Sequence, residues 1–194
     1  MLGLKLPSDP LWARIAKNNL QEILTDHAYC EQKAASSAIS LVISFPEKSE
    51  LVKIMLEIAK EEIIHFQMVH ELILERGFSL GRERKDEYVI KLKSFFPKGG
   101  DRNNHLVNRL LYGALIEARS CERFKILSTE LEEKKLRLFY KKLMISEAHH
   151  YNIFLKLARK YGKSKEKVNQ KWESLLEFEK NLIGELNNKE SIHG

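Results

Sequence analysis

The sequence predicts an all-α protein: a four-helix bundle made of two helix hairpins and one long crossover, with a short N-terminal helix and an extra C-terminal helix. Three observations predict it. Apolar residues recur at i, i+3/i+4 and i+7 through four long segments, and no stretch shows the period-two alternation of a strand. The links within each pair of segments are short, whereas roughly 23 residues join the pairs, the single-crossover topology of ferritin-like bundles. The two halves also repeat one another. Glu31 precedes Glu62-Ile63-Ile64-His65 by 31 residues, and Glu117 precedes Glu147-Ala148-His149-His150 by 30.

The elements follow in order. Ser8-Asp9-Pro10 reads as a helix start, with a capping side chain and a proline at an early helical position. A short helix from Pro10 leads into the first long helix, about 20–45, which Pro46 ends. Ser49 is expected to cap the second, 49–76, and Gly77 to stop it. The crossover carries a short amphipathic piece, Asp86 to Phe95, and closes on Pro97-Lys98-Gly99-Gly100. Asp101 caps the third long helix, 101–129, and the fourth runs about 131–161 before Gly162. Ser164 opens a Lys/Glu-rich helix to about Leu186, whose Val168, Trp172, Leu175, Leu176, Leu182 and Ile183 suit packing on the bundle exterior. The tail from Asn187 is expected to fray. The whole of 1–194 is read as one domain, a size that supports a single core.

Six polar residues interrupt the apolar stripes. The first helix reads Leu20, Leu24, His27/Ala28, Glu31, Ala34/Ala35, Ala38, Val42, Phe45, and the second Leu51, Met55, Ile58, Glu62, His65, Val69, Ile73. The third reads Leu106, Leu110, Gly113/Ala114, Glu117, Cys121, Phe124, and the fourth Leu136, Phe139/Tyr140, Leu143, Glu147, His150, Phe154, Leu157. An uncompensated buried carboxylate costs several kcal/mol or more, so four of them would unfold a marginally stable domain. A pair of cations resolves the conflict. Two lone glutamates and two Glu-x-x-His motifs are the ligand set of di-iron and di-manganese carboxylate bundles. Glu31, Glu62, His65, Glu117, Glu147 and His150 are therefore the expected metal ligands. Glu62 and Glu147 are expected to bridge, Glu31 and Glu117 to serve one metal each, and each histidine to bind one. Glu61, His70, Glu71 and His149 lie off the stripe or beyond its level, and are read as solvated or outer groups. Carboxylate and imidazole donors suit iron or manganese rather than a thiolate-selected metal. Six ligands on two ions leave open positions, which means dioxygen or peroxide chemistry, or iron oxidation for storage. No catalytic residue beyond the ligands is expected.

Composition narrows the setting. The apolar runs fall short of the ~20 residues of a membrane span, and the N-terminus lacks an apolar signal region. Cys30 and Cys121 form no metal or disulfide framework, and a cytoplasmic location is expected. Cys121, one turn past Glu117, reads as a small buried residue or as part of the site's lining. The net charge of +6 points only weakly to a polyanionic partner. Between Arg76 and Arg109, however, nine basic residues face four acidic ones, a local balance of +5, and a second basic stretch runs from Arg159 to Lys171.

Two stretches resemble a known family: Asp26-His27-Ala28-Tyr29-Cys30-Glu31-Gln32-Lys33-Ala34-Ala35, and Ile116-Glu117-Ala118-Arg119-Ser120-Cys121-Glu122-Arg123-Phe124. Both are similar to the MiaE-type tRNA hydroxylases, ferritin-like di-iron proteins, and the resemblance extends over about residues 5 to 185, with all six ligand positions matched. It implies an O2-dependent di-iron monooxygenase that hydroxylates the isopentenyl group of 2-methylthio-N6-isopentenyladenosine beside the tRNA anticodon. The implied cofactors are two iron ions with O2 as co-substrate. The implied partners are the anticodon arm of tRNA and an electron-donating reductase, with a monomer or small oligomer rather than a shell. On that reading Arg82, Arg84, Lys85 and Lys91 of the crossover contact phosphates, and Cys121 joins the candidate substrate contacts. Arg119, Glu122 and Arg123 are read as salt-bridging groups between helices. The competing classes are a ferroxidase or storage protein, which would assemble into a shell, and a peroxide-detoxifying protein, which would be expected to carry a four-cysteine iron module that two cysteines cannot supply.

Overall fold

A computed structural model describes residues 1–97, 99–186 and 191–193. Among them are seven helices and no strand: α1 (Leu11–Asn18), α2 (Leu20–Ser44), α3 (Ser49–Glu75), α4 (Glu87–Lys93), α5 (Arg102–Glu130), α6 (Lys134–Tyr161) and α7 (Lys165–Glu185). They fall into two compact units. One comprises 18–85 with 191–192; the other comprises 1–17, 86–97, 99–186 and residue 193.

In the first unit α2 and α3 pair as a hairpin. Phe45, buried at the C-terminal cap of α2, donates its N–H to the Leu41 carbonyl, and Pro46 follows. Ser49 is not a cap but the first helical residue; Lys48 takes the cap position and its side chain makes no capping bond. Gly77 ends α3 at φ +69°, a left-handed conformation that glycine adopts without a Cβ penalty. The chain then runs back along α2. The Tyr29 hydroxyl donates to the Gly81 carbonyl at 3.0 Å, and a Cβ on Gly81 would sit 3.2 Å from the Thr25 methyl.

The second unit is built around α5, with α6 paired to it and α7 packed on α4, α5 and α6. The caps expected at Asp101 and Ser164 are present, and the structure adds one at Asp86. Asp86, Asp101 and Ser164 accept from the backbone N–H of Val89, Asn104 and Lys167. The fourth long helix starts at Lys134 rather than near residue 131, because Leu131 is buried as the C-terminal cap of α5 and the turn takes 131–133. Val168, Trp172, Leu175, Leu176 and Leu182 of α7 are buried as expected, and Ile183 is intermediate. The expected fraying does not extend to the described end of the tail. Ile192 and His193 are buried, the Ile192 N–H donates to Asp26, and His193 pairs with Ser120 at 3.0 Å. Residues 187–190 lie outside the described residues.

Candidate metal centre

Each unit presents one set of three ligands. In the α2–α3 hairpin, Glu31, Glu62 and His65 are buried and offer ligand atoms within 4.8 Å of one another. Glu62 and His65 lie three residues apart on one face of α3, and Glu31 reaches them from the stripe of α2. His65 Nδ1 stands 3.1 Å from Glu62 Oε2 and 3.7 Å from Glu31 Oε2. His27 sits one turn before Glu31, fully buried, with Nε2 2.6 Å from Glu31 Oε1. Sequence reasoning placed His27 on the stripe without assigning it a role; its i, i+4 relation to Glu31 was the available signal.

The second unit repeats the pattern. Glu117 of α5 and Glu147 and His150 of α6 are buried, again with ligand atoms within 4.8 Å of one another. A Cβ on Gly113, one turn before Glu117, would stand 3.2 Å from the Phe154 ring, which follows His150 by one turn. Cys121 is fully buried, and its thiol donates to the Met144 carbonyl at 3.2 Å. Burial, with the nearby Glu147 charge, pushes that thiol up to about 12, so it stays protonated.

The donor sets fit hard divalent cations. Burial, reinforced by the Glu62 charge, pushes Glu31 up to about 8. For His65, burial opposes the charged form, but hydrogen bonds to Glu31 and Glu62 outweigh it and raise the imidazole to about 10. The cluster therefore holds protons where a cation would neutralise the same carboxylates. Three oxygen- or nitrogen-donating side chains per set, with no free thiolate, match iron or manganese.

The remaining expected residues lie on the surface. Arg82, Arg84 and Lys85 are exposed in the segment that runs along α2, where an Arg84 N–H donates to the Glu22 carbonyl at 3.4 Å. Lys91 is exposed on α4. Glu61, Glu71 and His149 are exposed or partly so, and His70 is partly so, as expected of residues off the stripe.

Arg119 and Arg123 are buried, as are Glu122 and, on α7, Glu179. Arg119 donates to Glu179 at 3.0 Å from Nε, to Glu122 at 3.0 Å, to Ser8 Oγ at 3.3 Å and to the Leu6 carbonyl at 3.2 Å. The Tyr88 hydroxyl donates to Glu179 at 3.2 Å, and Arg123 lies 4.1 Å from the Trp12 ring centre. The interhelical bridging expected of Arg119 is thus present, with Glu179 as a partner 60 residues away.

Comparison with known proteins adds independent evidence. The family described as tRNA-(MS[2]IO[6]A)-hydroxylase (MiaE) matches residues 3–194. A Pseudomonas putida protein named tRNA 2-(methylsulfanyl)-N(6)-isopentenyladenosine(37) hydroxylase is 38% identical over 82% of this chain and 76% of its own. A Salmonella typhimurium protein of the same name is 30% identical over 80% of this chain and 75% of its own. Among solved structures, "Protein 43 with aldehyde deformylating oxygenase activity from Synechococcus" superposes with a TM-score of 0.90 at 28% identity, covering 98% of this chain and 95% of that one. The shared fold bears out the all-α, ferritin-like bundle class expected from the helix pattern.

Proposed function

The chain belongs to the MiaE family of tRNA hydroxylases, and from that premise we propose how its residues serve the reaction. The activity is hydroxylation of 2-(methylsulfanyl)-N6-isopentenyladenosine in tRNA. The observation that carries the mechanism is the repetition of one ligand set, Glu plus Glu-x-x-His, in each half of the chain. Glu31, Glu62 and His65 from one half and Glu117, Glu147 and His150 from the other would be the residues that hold a pair of iron ions. When bound and reduced, that pair supplies the activation of O2 and the insertion of one oxygen atom into the prenyl group.

The chain's own residues do the rest. Glu31 must release its proton for the metal to bind, and His27, 2.6 Å away, fixes the orientation of that carboxylate. Burial of all six ligands keeps water from the reacting centre and strengthens each electrostatic contact there. Outside the centre, Arg82, Arg84, Lys85 and Lys91 are assigned to phosphates of the anticodon arm. A separate reductase delivers the electrons. The protein acts in the cytoplasm as one ferritin-like domain, a monomer or small oligomer. No described helix is long and apolar enough to cross a membrane.

Single turnover tests the reading: anaerobically reduced, iron-loaded protein is mixed with prenylated tRNA and labelled dioxygen, and the nucleosides are analysed by mass spectrometry. Label in the prenyl group supports it. Rapid ferrous oxidation to a mineral core, with the nucleoside untouched, would move the chain to the storage class.

A further inference from the structure

One helix carries the whole positive excess of the chain. α6 holds eight Lys and Arg and one carboxylate, the buried Glu147, a balance of +7. The chain as a whole is +6, so everything outside α6 nets −1. α3 is its opposite, with Lys53 and Lys60 against six glutamates, a balance of −4.

Helix geometry gathers the charge on one side. Counting about 100° per residue from Glu147, the exposed Lys134, Lys135, Lys141, Lys142, Lys156 and Lys160 all fall between roughly 120° and 240°. They form a row about 39 Å long, directed away from the ligand-bearing face. Leu138 and Ile145, 58% and 61% exposed, lie in the same row. Within α6 the one carboxylate, Glu147, lies on the opposite side of the helix from the row, and Glu130, Glu132 and Glu133 precede its first turn. An ordinary solvated helix face mixes both signs. A one-sign row costs the isolated helix stability, and a polyanion would recover that cost.

We propose that the outward face of α6 binds the phosphodiester backbone of the tRNA, as a surface additional to the crossover. This rests on the reading that the substrate is a tRNA. RNA fits the row better than a membrane does, because the row displays six lysines but only two large exposed apolar side chains, fewer than an amphipathic membrane face presents. The row lies across the helix from Glu147, so it does not touch the reacting base. Its phosphate contacts act equally on bound substrate and on the transition state, and removing them raises KM without lowering kcat.

The test uses the iron-loaded protein and prenylated tRNA, with binding followed by fluorescence anisotropy over a range of salt concentrations. Combined Lys134→Gln, Lys135→Gln, Lys141→Gln and Lys142→Gln should weaken binding at least tenfold. It should also flatten the log–log salt dependence by roughly 0.7 to 0.9 for each phosphate that the variant no longer neutralises, and raise KM at unchanged kcat. Lys53→Gln with Lys60→Gln, on the acidic α3, should leave all three quantities near wild type and so controls for net charge. A wild-type slope in the α6 variant would overturn the proposal while leaving the hydroxylase reading intact. Equal loss of affinity per charge in the α3 control would overturn it too, as would loss of binding to anionic vesicles with tRNA affinity unchanged. Wild-type protein that neither binds nor hydroxylates the tRNA would overturn both.

Discussion

Replacing Glu31 with glutamine should change how the stability of the metal-free protein depends on pH. The carboxyl is buried, beside His27 and near Glu62, and is pushed from an ordinary 4.5 up to about 8. The folded state therefore binds this proton more tightly than the unfolded chain does. Stability present at low pH is lost as pH rises from 4.5 through about 8. His65 adds to the same trend. Its imidazole is raised from 6.5 to about 10, so its contribution is complete below 6.5 and is lost as pH climbs through about 10. Both groups make the metal-free protein less stable as pH rises. At about 1.4 kcal/mol per unit, the Glu31 share approaches ~3 kcal/mol by neutral pH and ~5 kcal/mol once the group is ionised in both states.

Urea unfolding of metal-free protein at about pH 5, 7 and 9 measures this directly. Wild-type stability should decline across the series, and Glu31→Gln should decline by several kcal/mol less and be the more stable of the two at high pH. Manganous or ferrous ion, added anaerobically, should stabilise the wild type more as pH rises, because the cation takes the place of the proton. The variant should lose most of that gain. A wild-type curve that is flat or rising between about pH 5 and 9, or a variant with an identical slope, would refute the electrostatic account of the cluster.

Three further outcomes follow from named contacts. His27→Ala removes the partner 2.6 Å from Glu31 and should lower metal affinity by about 10–100-fold, measured by calorimetric titration, with partial rescue by His27→Gln. Gly113→Ala places a Cβ 3.2 Å from the Phe154 ring, so the ring must shift by a few tenths of an ångström; that crowding should offset the ~1 kcal/mol that alanine gains inside a helix, leaving urea stability near wild type while metal affinity on the Glu117 side falls. Asp101→Ala deletes the α5 cap to Asn104 N–H at 2.7 Å and should cost about 1 kcal/mol, read as a lower melting temperature with metal affinity unchanged.

Much of the site was legible before the structure because it breaks a local rule. A glutamate on the apolar stripe of an amphipathic helix is conspicuous, and Glu31, Glu62, Glu117 and Glu147 each occupy such a position. The caps at Asp101 and Ser164 were legible for a similar reason, since a cap is a bond across three residues, and the same signal at Asp86 went unused. Ser49 misled because a capping residue type preceding a helical pattern does not decide which residue turns first. Long-range partners were not legible. Nothing within a few residues of Arg119 points to Glu179, and nothing in the polar tail points to the docking of Ile192 on Asp26. The charge of α6 was partly hidden as well. Read as stretches of chain, its lysines fall outside both basic runs or at the edge of one. Only the helix bounds and its buried face show that they share a side.

The buried ions beside Glu117 invite a stability argument that does not hold. Desolvating Arg119, Glu122 and Glu179 costs several kcal/mol per ion, and a buried network of this kind contributes little net stability against well-packed apolar residues. What it supplies is uniqueness of register. α5 buries sixteen of its residues, so apolar packing alone discriminates weakly between small rotations about its axis. Arg119 lies two residues from Glu117, on a different side of that helix, and is held by Glu122, Glu179, Ser8 and the Leu6 carbonyl. Rotating α5 would break several of these bonds together, so the network fixes where Glu117 points. A ligand must be held to within about 0.5 Å for its metal. Two variants separate register from stability. Arg119→Leu alone strands two carboxylates and should destabilise by about 3–5 kcal/mol. Adding Glu179→Leu and Glu122→Leu removes the stranded carboxylates and should recover part of that stability, measured by urea unfolding, since the buried Arg123 cation then loses their charge. Metal affinity should stay low in the triple variant, because apolar packing no longer selects one orientation of Glu117. Metal affinity that returns together with stability would show that the network serves the fold alone.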